Sequence, residues 1–159
     1  MNSSTQEQVL QIRKCGMNDL ERVTALLREF GYPTTLSVMK ERMEGMEHDP
    51  FHCTLVAELN NEVVGMIGLR QVKSYYKHAD CITEITALIV SEELRGQGLG
   101  KRLVAAAEEW ARHQGCCQLF LRSGNRVERA PAHAFYRHIG FEKDNRLPLQ
   151  QSPAIILYV

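Results

Sequence analysis

The run Ile89-Val90-Ser91-Glu92-Glu93-Leu94-Arg95-Gly96-Gln97-Gly98-Leu99-Gly100-Lys101 sets three glycines at alternate positions, behind an apolar stretch and ahead of an amphipathic one. Glycine admits positive φ and close approach, so successive backbone N–H groups can face one ligand. A helix opening at the third glycine adds its own unpaired N–H groups and the positive end of its dipole. Arg95 and Lys101 flank the turn with mobile cations. The chemistry on offer is the cradling of an anion of the phosphate type. It is neither of two common cradles. A dinucleotide fingerprint needs G-x-G-x-x-G, and here the third glycine comes one residue early. A P-loop needs a hydroxyl after its lysine, where this chain has Gly100-Lys101-Arg102. The plain alternative is a glycine-rich helix start that binds nothing.

Two more residues could move protons. Glu84 stands in an otherwise apolar run with Ile82, Ile85, Leu88 and Val90. A carboxylate shielded by apolar neighbours holds a proton more readily than one in water, and so can take one from an amine. The alternative is a structural ion pair with an arginine such as Arg70. Tyr136 lies in Ala132-His133-Ala134-Phe135-Tyr136-Arg137-His138-Ile139-Gly140-Phe141. Its phenol could donate a proton, or its ring could simply pack.

The elements that would carry these residues follow from periodicity. Val9 to Lys14 reads as a strand, and Asn18 or Asp19 caps a helix through Leu20, Val23, Leu27 and Phe30, stopped by Gly31 and Pro33. Leu36, Met39, Met43 and Met46 mark a second helix ending near Asp49-Pro50, with methionine as core filler. Phe51 to Leu59 and Glu62 to Leu69 form a hairpin about Asn60-Asn61. Ser74 to Asp80 reads as a loop or a ragged strand end, and Ile82 to Val90 as a central strand covered on both faces. Leu99, Leu103, Ala107, Trp110 and Ala111 make the strongest amphipathic helix, closed by Gly115 before a strand from Cys116 to Leu121. Pro131 starts a last helix that Gly140 stops, and Phe141–Lys143 and Ile155–Val159 finish as strands. The order is β-α-α-β-β-β-α-β-α-β-β.

Ile82 to Ala111 resembles motif A of the GNAT N-acetyltransferase superfamily, with its Arg-Gly-x-Gly-x-Gly turn after the fourth strand. Leu121-Arg122-Ser123-Gly124-Asn125, followed by Ala-x-x-Phe-Tyr-x-x-x-Gly-Phe from Ala132, resembles motif B. The element order agrees over nearly the whole chain. The resemblance implies an α/β (α+β) fold: one domain over residues 9–159 after a poorly ordered tail of residues 1–8. Its central sheet would be mixed and mostly antiparallel, flanked by about four helices. It implies that the pyrophosphate of coenzyme A lies on Arg95, Gly96, Gln97, Gly98, Leu99, Gly100 and Lys101. Pantetheine would run beside Leu88, Ile89 and Val90, and Asn125 would hydrogen-bond the cofactor. Tyr136 would stand near the sulfur as general acid and also touch the cofactor, and Glu84 would be the base. Glu62 to Leu69, Thr83-Glu84-Ile85 and Ala107-Glu108-Glu109 are most similar to aminoalkylphosphonate N-acetyltransferases and their relatives. Tyr75, Tyr76 and Lys77 depart from that pattern where the acceptor is expected, and Tyr75 and Tyr76 are the substrate-contact residues expected.

The remaining composition narrows partners and compartment. The 159 residues carry 19 Lys+Arg and 19 Asp+Glu, so any anion site is local. A protein that coats nucleic acid or an anionic membrane is disfavoured by that balance. With 44% hydrophobic and 24% charged residues the chain has ordinary globular usage. Met1 to Gln8 has no apolar signal core. No apolar run approaches the length a membrane-spanning helix needs. Cys15, Cys53, Cys81, Cys116 and Cys117 are odd in number without C-x-x-C, which reads as reduced thiols in a cytoplasmic protein rather than a disulfide framework. His78, Asp80, His133 and His138 match no zinc spacing, and no metal is expected. Arg122, Arg126 and Arg129 could reach coenzyme A phosphates or form a solvated basic face. The expected activity is acetyl transfer from acetyl-coenzyme A to a primary amine of a small molecule, by direct attack in a ternary complex; a homodimer is compatible with it. The rivals are a protein or peptide N-acetyltransferase and a coenzyme A-binding regulatory module without turnover.

Overall fold

A computed structural model describes residues 9–73, 81–122, 130–144 and 154–158. The chain runs β1 (Leu10–Lys14), α1 (Leu20–Phe30), α2 (Leu36–Glu47), β2 (His52–Leu59), β3 (Glu62–Lys73), β4 (Cys81–Val90), α3 (Leu99–His113), β5 (Cys116–Arg122), α4 (Ala130–His138), β6 (Glu142–Asp144) and β7 (Ala154–Tyr158), with short 3-10 turns before α1 and α3. Among the described residues the strands form one sheet in the order β1-β2-β3-β4-β5-β7-β6. Every neighbouring pair is antiparallel except β4 and β5, which are parallel. The α/β class, the mixed mostly antiparallel sheet and the element order are those the sequence implied. Residues 1–8 and the expected loop Ser74 to Asp80 lie outside the described residues, and no described helix is long and apolar enough to cross a membrane.

Local chemistry sets the element ends. Asn60 and Asn61 both take positive φ, at 50° and 65°. A two-residue turn matched to strand twist requires that conformation. The Thr35 side chain accepts the Val38 N–H at 3.2 Å and caps α2. Gly31, at φ 107°, ends α1; the Tyr32 N–H then bonds back to the Leu27 carbonyl at 2.9 Å. Asp19 precedes α1 as expected, but its carboxylate does not cap it. It accepts from both terminal guanidinium nitrogens of Arg13 at 2.8 and 2.9 Å and from the Gly16 N–H at 2.8 Å. A full cation competes for the carboxylate better than a helical amide does.

Helices cover both faces of the sheet. On one, Leu103, Val104, Ala107 and Ala111 of α3 pack against Ile67, Leu69, Ile85 and Leu119. On the other, Val23 and Leu26 of α1 and Met39 and Met43 of α2 pack against Val56, Met66 and Ile89. Leu26 and Leu103 are fully buried, and burying each is worth about 2 kcal/mol. β4 changes parity on the way. Leu69 pairs with Ile85 and Gly68 with Ala87, so Thr86 is an extra residue, a bulge. Ile85 faces α3 before it, and Leu88 and Val90 do so after it, while Ile89 faces α1 and α2. A Cβ on Gly68 would lie 2.6 Å from the Thr86 hydroxyl, so glycine there makes room for the bulge.

The cysteines correct one expectation. Cys81 and Cys116 form a disulfide where reduced thiols were expected. The parallel register sets these two residues opposite each other, with Cα atoms 4.6 Å apart. A sequence separation of 35 conceals that pairing. Cys15 and Cys53 are free, and burial pushes the Cys15 thiol up to about 11 and raises that of Cys53.

Candidate active site

The parallel ladder between β4 and β5 runs from Cys81 opposite Cys116 to Glu84 opposite Phe120 and then ends. Past Glu84, β4 continues against β3 as far as Val90, while β5 continues against β7 to Arg122. The two central strands therefore part, and a wedge opens on the β5 side of Ile85–Val90. A cavity of about 340 Å³ lies there, with Leu88 and Ile89 of β4, Leu121 of β5 and Tyr136 of α4 in its wall. Strand backbone beside such an opening presents N–H and C=O groups that an extended ligand arm can pair with.

The glycine turn stands at the open end. Arg95 ends the 3-10 turn and its Nε donates to the Val90 carbonyl at 3.3 Å, so this cation folds back over the end of β4. Gly96 and Gly98 take φ of 81° and 83°, and a Cβ on either would meet no atom within 4 Å. The turn is open as well as left-handed, as an anion cradle must be. Gly98 is the N-cap of α3, and the first helical bond runs from the Arg102 N–H to its carbonyl at 3.2 Å. The N–H groups of Leu99, Gly100 and Lys101 precede that bond, at the positive end of a 15-residue helix. Gln97 and Lys101 are exposed, whereas the Leu99 side chain is buried in the core, so Leu99 offers its backbone alone. The Glu29 carboxylate accepts the Glu92 N–H at 2.9 Å and ties the approach to the turn onto α1.

Gly100 couples the cradle to the other half of the site. A Cβ there would come 3.1 Å from Cζ of Phe135, so the α3 backbone rests against that ring. Phe135 meets Tyr136 edge-on with centroids 5.4 Å apart, and Tyr136 meets Phe141 likewise at 5.6 Å. Edge-on contact of this kind suits the aromatic quadrupole. The Phe141 N–H bonds the Tyr136 carbonyl at 2.9 Å and holds α4 to the strand that follows. Tyr136 is 7% exposed, packs between these two rings and lines the cavity.

Glu84 has a partner. Its carboxylate forms an ion pair with Arg70, directly opposite on β3, and it is not among the residues lining the cavity. The Glu84 side chain is 15% exposed and that of Arg70 49%. Asn125, Tyr75 and Tyr76 lie outside the described residues, as do Arg126, Arg129, His78 and Asp80.

The structure adds a wall that the sequence pattern does not announce. Phe30, Tyr32, Thr34 and Arg42, from the end of α1, the α1–α2 connection and α2, close the cavity opposite β4. The available signal is two large aromatics astride Gly31, where the pattern by itself shows only a helix stop.

Residues 20–141 match the family described as Acetyltransferase (GNAT). The chain is 33% identical over 138 residues to the aminoalkylphosphonate N-acetyltransferase of Salmonella typhimurium, covering 86% of this chain and 88% of that protein. It is 31% identical over 101 residues to an aminoglycoside N(6')-acetyltransferase of Stenotrophomonas maltophilia, covering 62% and 65% of the two. In fold it is similar to an N-acetyltransferase from Thermoplasma acidophilum solved with coenzyme A, at TM-score 0.75 and 17% identity, over 95% of this chain and 99% of that one. Cradle, wedge and relatives converge: the chain belongs to the acetyltransferase (GNAT) family and is an acetyl-CoA-dependent N-acetyltransferase, with acetyl-coenzyme A as its co-substrate.

Proposed function

We propose that the protein acetylates a primary amine of a small molecule by direct attack within a ternary complex. One observation carries this reading: Tyr136 lines the same cavity that runs along Ile85–Ile89. The thioester supplies the acetyl group. The amine nitrogen forms the new C–N bond, the C–S bond breaks, and the departing sulfur takes the Tyr136 hydroxyl proton, which solvent restores. The surplus proton on nitrogen goes to Glu84 through water, with Arg70 holding that carboxylate in place. The names of the Salmonella and Stenotrophomonas relatives, both built on small amines, support the small-molecule class.

The Arg70 ion pair favours a second reading for Glu84 alone, as a lock between β3 and β4 rather than a base. The test for the whole is a panel of amines and N-terminal peptides with acetyl-coenzyme A, following free thiol. Amine-dependent thiol release that Tyr136→Phe lowers on the order of 10²-fold supports the proposal. Release with peptides only, or none with any amine, refutes it.

A further inference from the structure

Within the small-amine reading, which this inference rests on and narrows, the geometry points to an acceptor that joins its amine to an aromatic body and an oxyanion. Such an acceptor would seat its ring at Phe30–Tyr32 and its oxyanion at Arg42. Three independent features of the α1–α2 wall carry this.

The first is charge. Among the described residues lining the cavity beside Tyr136, Arg42 is the sole charged side chain, and no carboxylate is present. A second cavity of about 630 Å³ shares Tyr32, Thr34 and Arg42 with the first and adds Arg28, again with no carboxylate. Neither arginine has an ion-pair partner among the described residues. A polycationic amine would find only like charge on this wall. A carboxylate or phosphonate would find a guanidinium, whose planar fork suits either.

The second is apolar surface. Phe30 and Tyr32 are 38% and 61% exposed, and their rings stack with centroids 6.0 Å apart and planes 11° apart. The left-handed Gly31 between them turns the chain so that Tyr32 folds back on Phe30. Exposed stacked rings beside a cavity of this size fit a flat apolar body rather than a short aliphatic chain.

The third is an orphan. Thr34 lines both cavities, and its hydroxyl is buried with no hydrogen-bond partner among the described residues. Buried hydroxyls are rarely left unpaired, and a turn about the Thr34 side-chain bond would offer this one to an oxyanion held by Arg42.

The test uses the purified full chain with acetyl-coenzyme A and five amines: 4-(aminomethyl)benzoate, 4-(aminomethyl)phenylphosphonate, benzylamine, β-alanine and 2-aminoethylphosphonate. At least one aromatic oxyanion should exceed in kcat/KM both benzylamine, which lacks the anion, and the two short acids, which lack the ring. The faster of the two aromatic acids identifies the oxyanion. Arg42→Gln should raise KM for that substrate on the order of 10–100-fold at nearly unchanged kcat. It should leave benzylamine kinetics, the KM for acetyl-coenzyme A and the melting temperature where they were. Tyr32→Ala should cost aromatic substrates about 5–10-fold and the short acids nothing. The inference is overturned if a short acid or benzylamine is the best substrate, or if Arg42→Gln moves the KM for acetyl-coenzyme A instead. In either case thiol release still stands for N-acetyl transfer. Absence of release with every amine would refute that underlying reading itself.

Discussion

Replacing Gly98 by valine puts the cradle to its sharpest test. Gly98 sits at φ 83° and ψ 6°, and a Cβ there would meet nothing within 4 Å. The cost is therefore conformational rather than steric. An L-residue in the left-handed region costs about 1–2 kcal/mol, which in a domain of this length lowers the melting temperature by about 3–8 °C. The fold survives that. Binding is expected not to, because the chain escapes the strain by leaving the left-handed region, and this re-aims the N–H groups of Leu99, Gly100 and Lys101. At a coenzyme A concentration of about 100 times Kd, the wild-type fold gains about 2.7 kcal/mol from the ligand, a shift of several degrees. A thermal scan with and without coenzyme A should show that shift in the wild type and lose it in Gly98→Val. Gly98→Asn is the control, since asparagine tolerates the left-handed region and should keep most of the shift. An undiminished shift in the valine variant would mean that this turn does not hold the ligand.

Other expectations follow from single contacts. Glu84→Gln should lower stability by only about 1 kcal/mol, because the half-exposed Arg70 can turn to water. If Glu84 takes the amine proton, the variant's loss of turnover should be concentrated near neutral pH and recovered at high pH; an unshifted pH–rate profile leaves Glu84 as the lock. Arg13 holds the Asp19 carboxyl below the usual range. The stability this contributes is complete above about pH 4 and is lost as pH falls through the lower folded value. Asp19→Asn should cost about 1–3 kcal/mol at pH 7 and flatten the acid limb of a stability–pH curve. An acid limb as steep as the wild type's would assign it to other carboxylates. Dithiothreitol should lower the melting temperature through the Cys81–Cys116 bond, whose partners are 35 positions apart in sequence. Closing a loop of that size is worth about 4 kcal/mol. Cys116→Ala should show no response to the reductant, and a wild type equally indifferent would mean the bond does not contribute.

Much of the fold was legible because its signals are local. The α3 stripe from Leu99 to Ala111, the Asn60-Asn61 hairpin and the Gly31, Gly115 and Gly140 stops each depend on a few neighbouring residues, and each stands where the pattern put it. The glycine cradle was legible for the same reason. The rest depended on register. Nothing near Cys81 announces Cys116, and only the parallel alignment of β4 with β5 brings them together. Glu84 in an apolar run looked solitary, although Arg70 was foreseen as a partner; the pairing of β3 with β4 decided it. The Phe30–Arg42 wall was out of reach, because exposed aromatics at a helix end acquire meaning only once a cavity lies behind them.

Thr86 gives β4 something like a reading frame. Upstream of it, odd-numbered side chains meet α3; downstream, even-numbered ones do. Inserting one further residue after Ala87 would leave the glycine turn and α3 intact in sequence and yet rotate everything between. Ile89 would swing from the α1–α2 layer into the α3 core, and Leu88 would take the opposite journey. The wall beside the cavity would be written in the wrong phase. Length is therefore quantised in this strand, since a single insertion past the bulge scrambles it whereas substitution merely edits it. The α1–α2 connection has no sheet to keep step with, and it can gain or lose residues freely. Descendants of this chain could thus change acceptors by indels at one edge of the pocket, while the other edge admits point changes alone.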